Sequence, residues 1–191
     1  MNLFSIFISA FLINNVVIMR FIALCPFIGM STNEDKSIGM GLAVTFVTVL
    51  ATCVTWPIYH FILVPLGLVF LKLLVFILVI AALVQLVEFY LKKSVPALYN
   101  SMGIYLALIT TNCAILAVTL ENITEGYNFI ESLVYAVGVA LGFLVSLLLL
   151  AGIRRRIRTS PVPAFLKGTP ILFVCAGLLS IAFMGFSGLV K

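Results

Sequence analysis

Charged side chains are scarce in this chain. Aspartate, glutamate, lysine and arginine together make up 9% of its 191 residues, whereas soluble domains carry roughly 25%. Hydrophobic residues account for 64% of the chain, and its mean hydropathy is +1.32. So few polar residues cannot cover a water-facing surface. The composition therefore predicts an integral membrane protein with almost no domain outside the bilayer.

The sequence also lacks the signatures of nucleotide chemistry. It contains no phosphate-binding glycine loop, no dinucleotide fingerprint and no zinc-ligand spacing. Flavin, NAD and an independent catalytic site are therefore not expected in this chain. The net charge of +5 does not indicate nucleic-acid binding, because the basic residues cluster in loops, where they set the orientation of a membrane protein.

Acidic residues are absent from the middle of every predicted span. An ion site would therefore use backbone carbonyls or a partner chain. Glu88 lies one helical turn before Lys92, and an i,i+4 ion pair is the simpler interpretation of that spacing. A role for Glu88 in an ion pathway is the alternative.

Six apolar segments are long enough to cross a membrane, which takes roughly 20 residues of α-helix. Polar or proline-bearing breaks separate them. The predicted spans are Leu3–Met30, Ile38–Ile62, Leu66–Leu91, Tyr99–Leu120, Phe129–Ile153 and Thr169–Val190. The predicted fold class is therefore an all-α integral membrane protein with six transmembrane helices.

Lysine and arginine are distributed unevenly between the two sides of this arrangement. The loops after the first, third and fifth spans hold eight of the eleven basic residues, five of them between Arg154 and Lys167. Cytoplasmic loops carry the excess of basic residues, so we expect these loops in the cytoplasm and both termini outside. The run Arg154–Arg158 then anchors the topology. The same residues could also contact anionic lipid or an acidic partner.

The two halves of the chain, residues 1–95 and 96–191, each contain three predicted spans of a single membrane domain. Because three is odd, the halves enter the membrane from opposite sides, and homologous halves would form an inverted repeat. Asn15 and Asn112 occupy comparable places in the first span of each half. The cysteines do not keep that register, since Cys25 lies ten residues after Asn15 whereas Cys113 is adjacent to Asn112.

Polar interruptions mark the first and fourth predicted spans, and each interrupted span includes a cysteine, Cys25 or Cys113. An unpaired amide in hydrocarbon costs on the order of several kcal/mol, and Arg20 adds roughly 2.5–3.5 kcal/mol even on a lenient insertion scale. We therefore expect the first helix of each half to be interrupted near mid-membrane. The residues that we expect to support the interruptions are Asn14, Asn15, Pro26, Thr111 and Asn112.

The four cysteines divide into two pairs by their surroundings. Cys53 and Cys175 lie in ordinary apolar helices, where free cysteine packs as a small apolar residue. For Cys25 and Cys113 the residues leave packing and metal or redox chemistry equally open. Two thiolates cannot complete a four-thiolate iron–sulfur site, so a metal site would need ligands from a second chain. A disulfide is disfavoured in a membrane that faces a reducing cytosol.

Several motifs together resemble one family of membrane subunits. It comprises RnfA and RnfE of the Rnf electron-transport complex and their counterparts in the sodium-pumping NADH:quinone oxidoreductase, and the resemblance to the RnfA type runs the full length. The matching motifs are Asn14-Asn15, Leu24-Cys25-Pro26-Phe27, Gly39-Met40-Gly41-Leu42-Ala43, Pro96-Ala97-Leu98-Tyr99, Ile109-Thr110-Thr111-Asn112-Cys113-Ala114 and the ending Ala182–Lys191.

The resemblance implies a function that the composition does not. The Rnf complex passes electrons between reduced ferredoxin and NAD and couples them to movement of sodium ions or protons, so the chain would be one component of a translocase. It implies a [2Fe–2S] cluster shared with an RnfE-like sister subunit, with Cys25 and Cys113 as this chain's ligands. It also implies further Rnf subunits of the B, C, D and G types as partners, membrane lipid around the chain, and a bacterial cytoplasmic (inner) membrane as its location.

Two rival functions stay open at this stage. Six spans, an inverted repeat and interrupted helices also suit a stand-alone secondary transporter. A purely structural scaffold with incidental thiols is the third interpretation. A coloured, multi-subunit preparation would favour electron transfer, whereas substrate uptake by the isolated chain would favour a transporter.

Overall fold

A computed structural model describes residues 3–13, 15–31, 34–65, 67, 69–94, 109–161, 163 and 166–185. Seven α-helices form within these ranges. They are α1 Leu3–Ile8, α2 Leu24–Met30, α3 Glu34–Ile58, α4 Lys72–Ser94, α5 Cys113–Thr124, α6 Phe129–Arg158 and α7 Thr169–Met184. Wider π-helical turns extend α1 over Ser9–Ile13 and α3 over Tyr59–Leu63, and a 3₁₀ turn over Val69–Leu71 leads into α4.

Three stretches of the described chain are long and apolar enough to cross a membrane. They are Ser37–Leu63, Lys72–Phe89 and Phe129–Arg158. Leu3–Leu12, Cys113–Thr124 and Thr169–Met184 are shorter apolar helices. The all-α class with membrane-spanning helices is therefore confirmed, while six spans in an inverted repeat stay a prediction.

Several helices continue past the ends that hydropathy predicts. α6 ends at Arg158 rather than at Ile153, so its arginine run is helical and not part of a loop. α5 ends at Thr124 rather than at Leu120, which makes Glu121 a helical residue. The backbone groups of a helix hydrogen-bond to one another whether the helix lies in lipid or in water. Basic side chains are stabilised at the C-terminal end, which is the negative end of the helix dipole. Hydropathy therefore marks where the hydrocarbon ends and not where the helix ends.

Helices α3 and α6 form the centre of the fold and run antiparallel. A β-carbon at Gly41 on α3 would lie 2.9 Å from the side chain of Leu144 on α6, so glycine is what allows the helices this approach. Large apolar side chains then interlock between them and are almost fully buried, as for Met40 and Phe143. This pair supplies the rigid frame on which the shorter helices pack.

Two glycines on α6 bring the first helix close to the same frame. A β-carbon at Gly138 would lie 2.9 Å from the β-carbon of Ala10, and one at Gly142 would lie 2.9 Å from the carbonyl oxygen of Phe11. Both distances are too short for a real β-carbon, so α1 and its π-helical turn sit against α6 only because these positions carry no side chain. The first interrupted segment is thereby fixed to the frame.

Replacing Gly142 with alanine should destabilise the fold. The added methyl group meets the backbone carbonyl of Phe11, which cannot turn away as a side chain would, and overpacking of this kind costs about 1–3 kcal/mol. The detergent-purified protein should therefore lose thermal stability in a melting experiment.

Gly152→Ala is the matched control, because Gly152 lies on the same helix and a β-carbon there would meet nothing within 4 Å. That variant should melt at or above the wild-type temperature, since alanine favours a helix by about 1 kcal/mol over glycine. Equal melting of the Gly142 variant and the wild type would contradict the close packing of α1 on α6.

Candidate functional site

The first interruption is organised by the side chain of Asn15, which is 1% exposed. Its Oδ1 accepts hydrogen bonds from the backbone N–H groups of Val17 (3.2 Å) and Ile18 (3.4 Å). Its Nδ2 donates to the carbonyl oxygen of Gly142 (3.0 Å) and to Oγ of Ser146 (2.8 Å). The Asn15 side chain therefore bonds the backbone that follows it and α6 at the same time, whereas Asn14 lies outside the described residues.

Between Asn15 and α2 the backbone turns sharply. The N–H of Ile22 donates to the carbonyl of Val16 at 3.2 Å, and Phe21 and Ala23 adopt positive φ angles of 53° and 64°. Each left-handed non-glycine residue costs roughly 1–2 kcal/mol, and strained backbone of this kind clusters at functional sites. Two such residues stand immediately before the helix that carries Cys25.

Pro26 does not lie at the interruption, contrary to the expectation from sequence. It is the third residue of α2 and is buried. Proline fits the first turn of a helix because the backbone N–H groups there have no partner within the helix. Pro26 therefore supports the start of α2, and the chain breaks upstream of it.

The other end of α2 is held by an arginine of α6. Nη1 of Arg154 donates to the carbonyl oxygen of Ile28 and to Oγ of Ser31, both at 3.1 Å. A cation at the C-terminal end of a helix is stabilised by the helix dipole. It also donates to a carbonyl that has no hydrogen-bond partner within the helix. Since Gly142 and Arg154 are twelve residues apart on α6, about 18 Å of one helix holds both ends of the segment that contains Cys25.

The second interruption is capped by Asn112, which is 4% exposed. Its Oδ1 accepts the backbone N–H of Ala114 at 3.0 Å and so caps α5. Thr111 lies in the turn just before, where its carbonyl oxygen accepts a long contact of 3.8 Å from Sγ of Cys113. Asn15 and Asn112 thus perform the same local task at two interruptions, although their cysteines follow at different distances.

Cys25 and Cys113 occupy equivalent places in their helices. Cys25 is the second residue of α2 and Cys113 is the first residue of α5, so both thiols stand in a first turn directly after an interruption. Both side chains are exposed, whereas Cys53 and Cys175 are only half-exposed. The residues that flank the two exposed thiols share one buried core cluster, which includes Ala23, Phe27, Ile109, Ala114 and Ile115.

A cavity of about 560 Å³ opens beside Cys113. It is lined on one side by Thr110, Thr111, Asn112 and Cys113, and on the other by residues of α4 that include Gln85 and Glu88. Nδ2 of Asn112 is buried and makes no hydrogen bond among the described residues. The cavity therefore places a thiol, an unused amide donor and a carboxylate together inside a helical bundle.

Arg20 forms an ion pair that the sequence did not predict. Its guanidinium lies 2.6 Å from a carboxylate oxygen of Glu121, with the two side chains 46% and 13% exposed. Glu121 follows the predicted end of the fourth span and was expected in a loop. The pair offsets the cost of a charged side chain in this segment, and the second carboxylate oxygen of Glu121 is buried without a hydrogen-bond partner in the described chain.

A polar and aromatic group surrounds the turn between α5 and α6. Nε1 of Trp56 donates to the carbonyl oxygen of Tyr127 at 3.1 Å, and the Trp56 ring stacks on His60 with centroids 4.6 Å apart. Burial, together with the negative charge of Glu125 and other nearby carboxylates, raises the pKa of the Tyr127 phenol above its ordinary value. The phenol therefore stays neutral at physiological pH.

The described part of the chain contains no group of three or more histidine, cysteine or acidic residues that could enclose a metal ion. Cys25 and Cys113 are the two cysteines with exposed side chains, and each follows an interruption held in place by a buried asparagine. Two thiolates are half of the four that an iron–sulfur cluster requires.

Comparison with known proteins identifies the family. Residues 3–190 match the family described as "Rnf-Nqr subunit, membrane protein". The A-type subunit of an ion-translocating oxidoreductase complex from Syntrophotalea carbinolica is 53% identical over 189 residues, covering 99% of this chain and 98% of the relative.

Two further relatives differ in the ion that their names give. The A-type subunit of the Na⁺-translocating ferredoxin:NAD⁺ oxidoreductase complex of Acetobacterium woodii is 53% identical, covering 99% of this chain and 98% of the relative. The proton-translocating counterpart of Clostridium ljungdahlii is 48% identical, covering 98% of this chain and 97% of the relative. Matches of this extent show that the chain belongs to the Rnf-Nqr family of membrane subunits.

Proposed function

We propose that this chain is the A-type membrane subunit of an ion-translocating ferredoxin:NAD⁺ oxidoreductase complex. Its relatives are named as that subunit over nearly their full length. Within the complex it would carry electrons through an iron–sulfur site shared with a sister subunit. The observation that carries this assignment is the pair of exposed thiols, Cys25 and Cys113, each in the first turn after an interrupted helix.

The surroundings of the two thiols suit a [2Fe–2S] cluster with two further thiolates from an RnfE-like partner. When bound, such a cluster accepts and passes on one electron at a time. Cys25 and Cys113 would bind it as thiolates. The unused N–H of Asn112 and the open backbone N–H groups at the start of α5 supply donors of the kind that tune the reduction potential of a cluster.

The cavity beside Cys113 supports a link between electron transfer and ion movement. An electron that arrives next to Cys113 makes this part of the bundle more negative. Gln85 and Glu88 line the same cavity, so a cation that enters there would offset the added charge. The same carboxylate can hold a proton or face a sodium ion, and the two relatives cited above are named for one ion each.

The orientation and the assembly complete the proposal. Eight of the eleven basic residues follow the first, third and fifth predicted spans, and this bias supports six spans in the cytoplasmic membrane of a bacterium, with both termini outside. Two inverted halves would then place the interrupted first helix of each half at a similar depth from opposite sides. Subunits of the B, C, D and G types would supply the flavins, the NAD site and further clusters.

Replacing Cys25 or Cys113 with alanine should remove the shared cluster. The purified complex of either variant should lose the iron of one cluster and the corresponding EPR signal after reduction, because three thiolates do not complete the site. Iron analysis and EPR of the reduced complex measure both effects.

Cys53→Ala and Cys175→Ala are the matched controls, since these half-exposed thiols lie within ordinary helices. Both variants should keep the full iron content and the wild-type spectrum. Unchanged iron in the Cys25 and Cys113 variants, or lost iron in the controls, would refute the ligand assignment.

Replacing Arg154 with alanine should loosen the segment that carries Cys25 without removing a ligand. Hydrogen bonds from a charged group contribute about 1.5–3 kcal/mol, and this change removes those to Ile28 and Ser31. The EPR signal of the cluster should broaden and part of the iron should be lost, with Arg154→Lys intermediate because the charge remains.

Arg156→Ala controls for the loss of one positive charge from the same helix end, since Arg156 is exposed. Its cluster signal should match the wild type. Equal spectra of the Arg154→Ala and Arg156→Ala complexes would show that Arg154 does not position the site.

A further inference from the structure

A second, smaller pocket lies between α3 and α5, apart from the two exposed cysteines. It is too narrow to admit a sphere the size of a water molecule. Four of its six lining residues carry polar side chains, although helices α3 and α5 are otherwise apolar. The lining residues are Thr52, Thr55, Trp56, Thr119, Asn122 and Ile123.

The side chain of Asn122 lacks hydrogen-bond partners in this pocket. It is 3% exposed, and neither its Oδ1 nor its Nδ2 makes a hydrogen bond within the described chain. Buried amides are almost always paired, because an unpaired one loses its hydration without replacement. The buried Oδ1 of Asn122 lies beside three threonines and accepts no hydrogen bond from the described residues. It therefore points to a ligand that oxygen lone pairs can bind.

The three threonines offer this ligand oxygen lone pairs and no hydrogen. The hydroxyl of Thr52 donates to the carbonyl of Thr48 at 2.9 Å, and that of Thr55 donates to Ala51 at 2.7 Å. The hydroxyl of Thr119 donates to Leu116 at 2.9 Å. A hydroxyl has one hydrogen and two lone pairs, so each of these threonine oxygens, whose hydrogen is already donated, can make a further contact only by accepting or coordinating.

These features select one class of ligand. Oxygen atoms with spare lone pairs bind hard cations, and a pocket too narrow for water favours a cation that has shed its hydration shell. The lining residues carry no carboxylate, which suits a single charge better than a double one. The indole of Trp56, held by its bond to Tyr127, forms part of the wall and so helps to enclose the site.

We propose that Thr52, Thr55, Thr119 and Asn122 form a binding site for a dehydrated Na⁺ ion on the translocation route. The inference rests on the proposed function, because a Na⁺ route is expected only in an ion-translocating subunit. It adds a binding site that is separate from the two thiols and from the cavity lined by Glu88. The Oδ1 of Asn122 and the threonine oxygens are the ligands from this chain.

Thr52→Val tests the site, since valine keeps the shape of threonine and removes the coordinating oxygen. The measurement is ferredoxin-to-NAD⁺ electron transfer by the whole complex in sealed vesicles, as a function of Na⁺ concentration. The half-saturating Na⁺ concentration should rise about tenfold, the effect of losing one contact to a charged group. Thr52→Ser, which keeps the oxygen, should stay close to the wild type.

Thr48→Val is the matched control. Thr48 is equally buried on the same helix, and its hydroxyl bonds the carbonyl of Val44 in the same way, but it does not line the pocket. Its Na⁺ dependence should equal that of the wild type. Asn122→Asp is a second, independent variant, whose added negative charge should lower the half-saturating concentration.

Three results would overturn the inference: a wild-type complex whose turnover does not depend on Na⁺, a Thr52→Val complex with wild-type Na⁺ dependence, and equal shifts in the Thr48 and Thr52 variants. None of these touches the proposed function, which is tested by iron content and EPR of the cysteine variants. A complex that keeps the cluster signal but shows no change at Thr52 therefore refutes this site alone.

Discussion

The buried side chain of Asn15 is the contact on which the rest of the arrangement depends. A helix that breaks inside a bilayer frees backbone groups for which no water is available, and each must find a partner in the protein. Asn15 meets this demand on two sides, since its carbonyl oxygen caps the turn that follows while its amide group bonds α6 at Gly142 and Ser146. The interruption and the packing of α6 are therefore one constraint. Gly142 must lack a side chain because Phe11 and Asn15 occupy that space.

The same helix controls the far end of the interrupted segment. Arg154 holds the last turn of α2, so α6 contacts the segment before Cys25 and again after it. A side chain on a loop with one fixed end would move with that loop, whereas a segment held at both ends by one rigid helix positions its thiol accurately. Close packing of α3 on α6 at Gly41 makes this frame stiff, and the two left-handed residues Phe21 and Ala23 show that the chain accepts strain to meet it.

Sequence patterns located the polar residues of this fold but not their partners. Asn15, Asn112 and the two exposed cysteines stand out because polar groups are costly in apolar segments, and both interruptions occur beside the predicted asparagines. The pairing of Arg20 with Glu121 was missed because hydropathy assigned Glu121 to a loop, and the two residues meet only through tertiary packing. Pro26 was expected at a break, yet proline suits a first helical turn equally well. The sequence also does not show that the amide of Asn122 lacks a hydrogen-bond partner, because its neighbours depend on how α5 packs against α3.

Cys25 and Cys113 are exposed, but the residues next to them in the chain are buried. Their flanking residues belong to one buried cluster, so the backbone at both thiols is fixed although the sulfur atoms face outward. Lipid offers a thiol nothing to bind, and under the proposed function two thiolates of another chain would complete the set of four. In the proposed complex the cluster would then lie at the interface itself and tie the two chains together. Electron transfer and assembly would depend on the same four sulfur atoms, and this chain by itself could neither hold the cluster nor pass an electron through it.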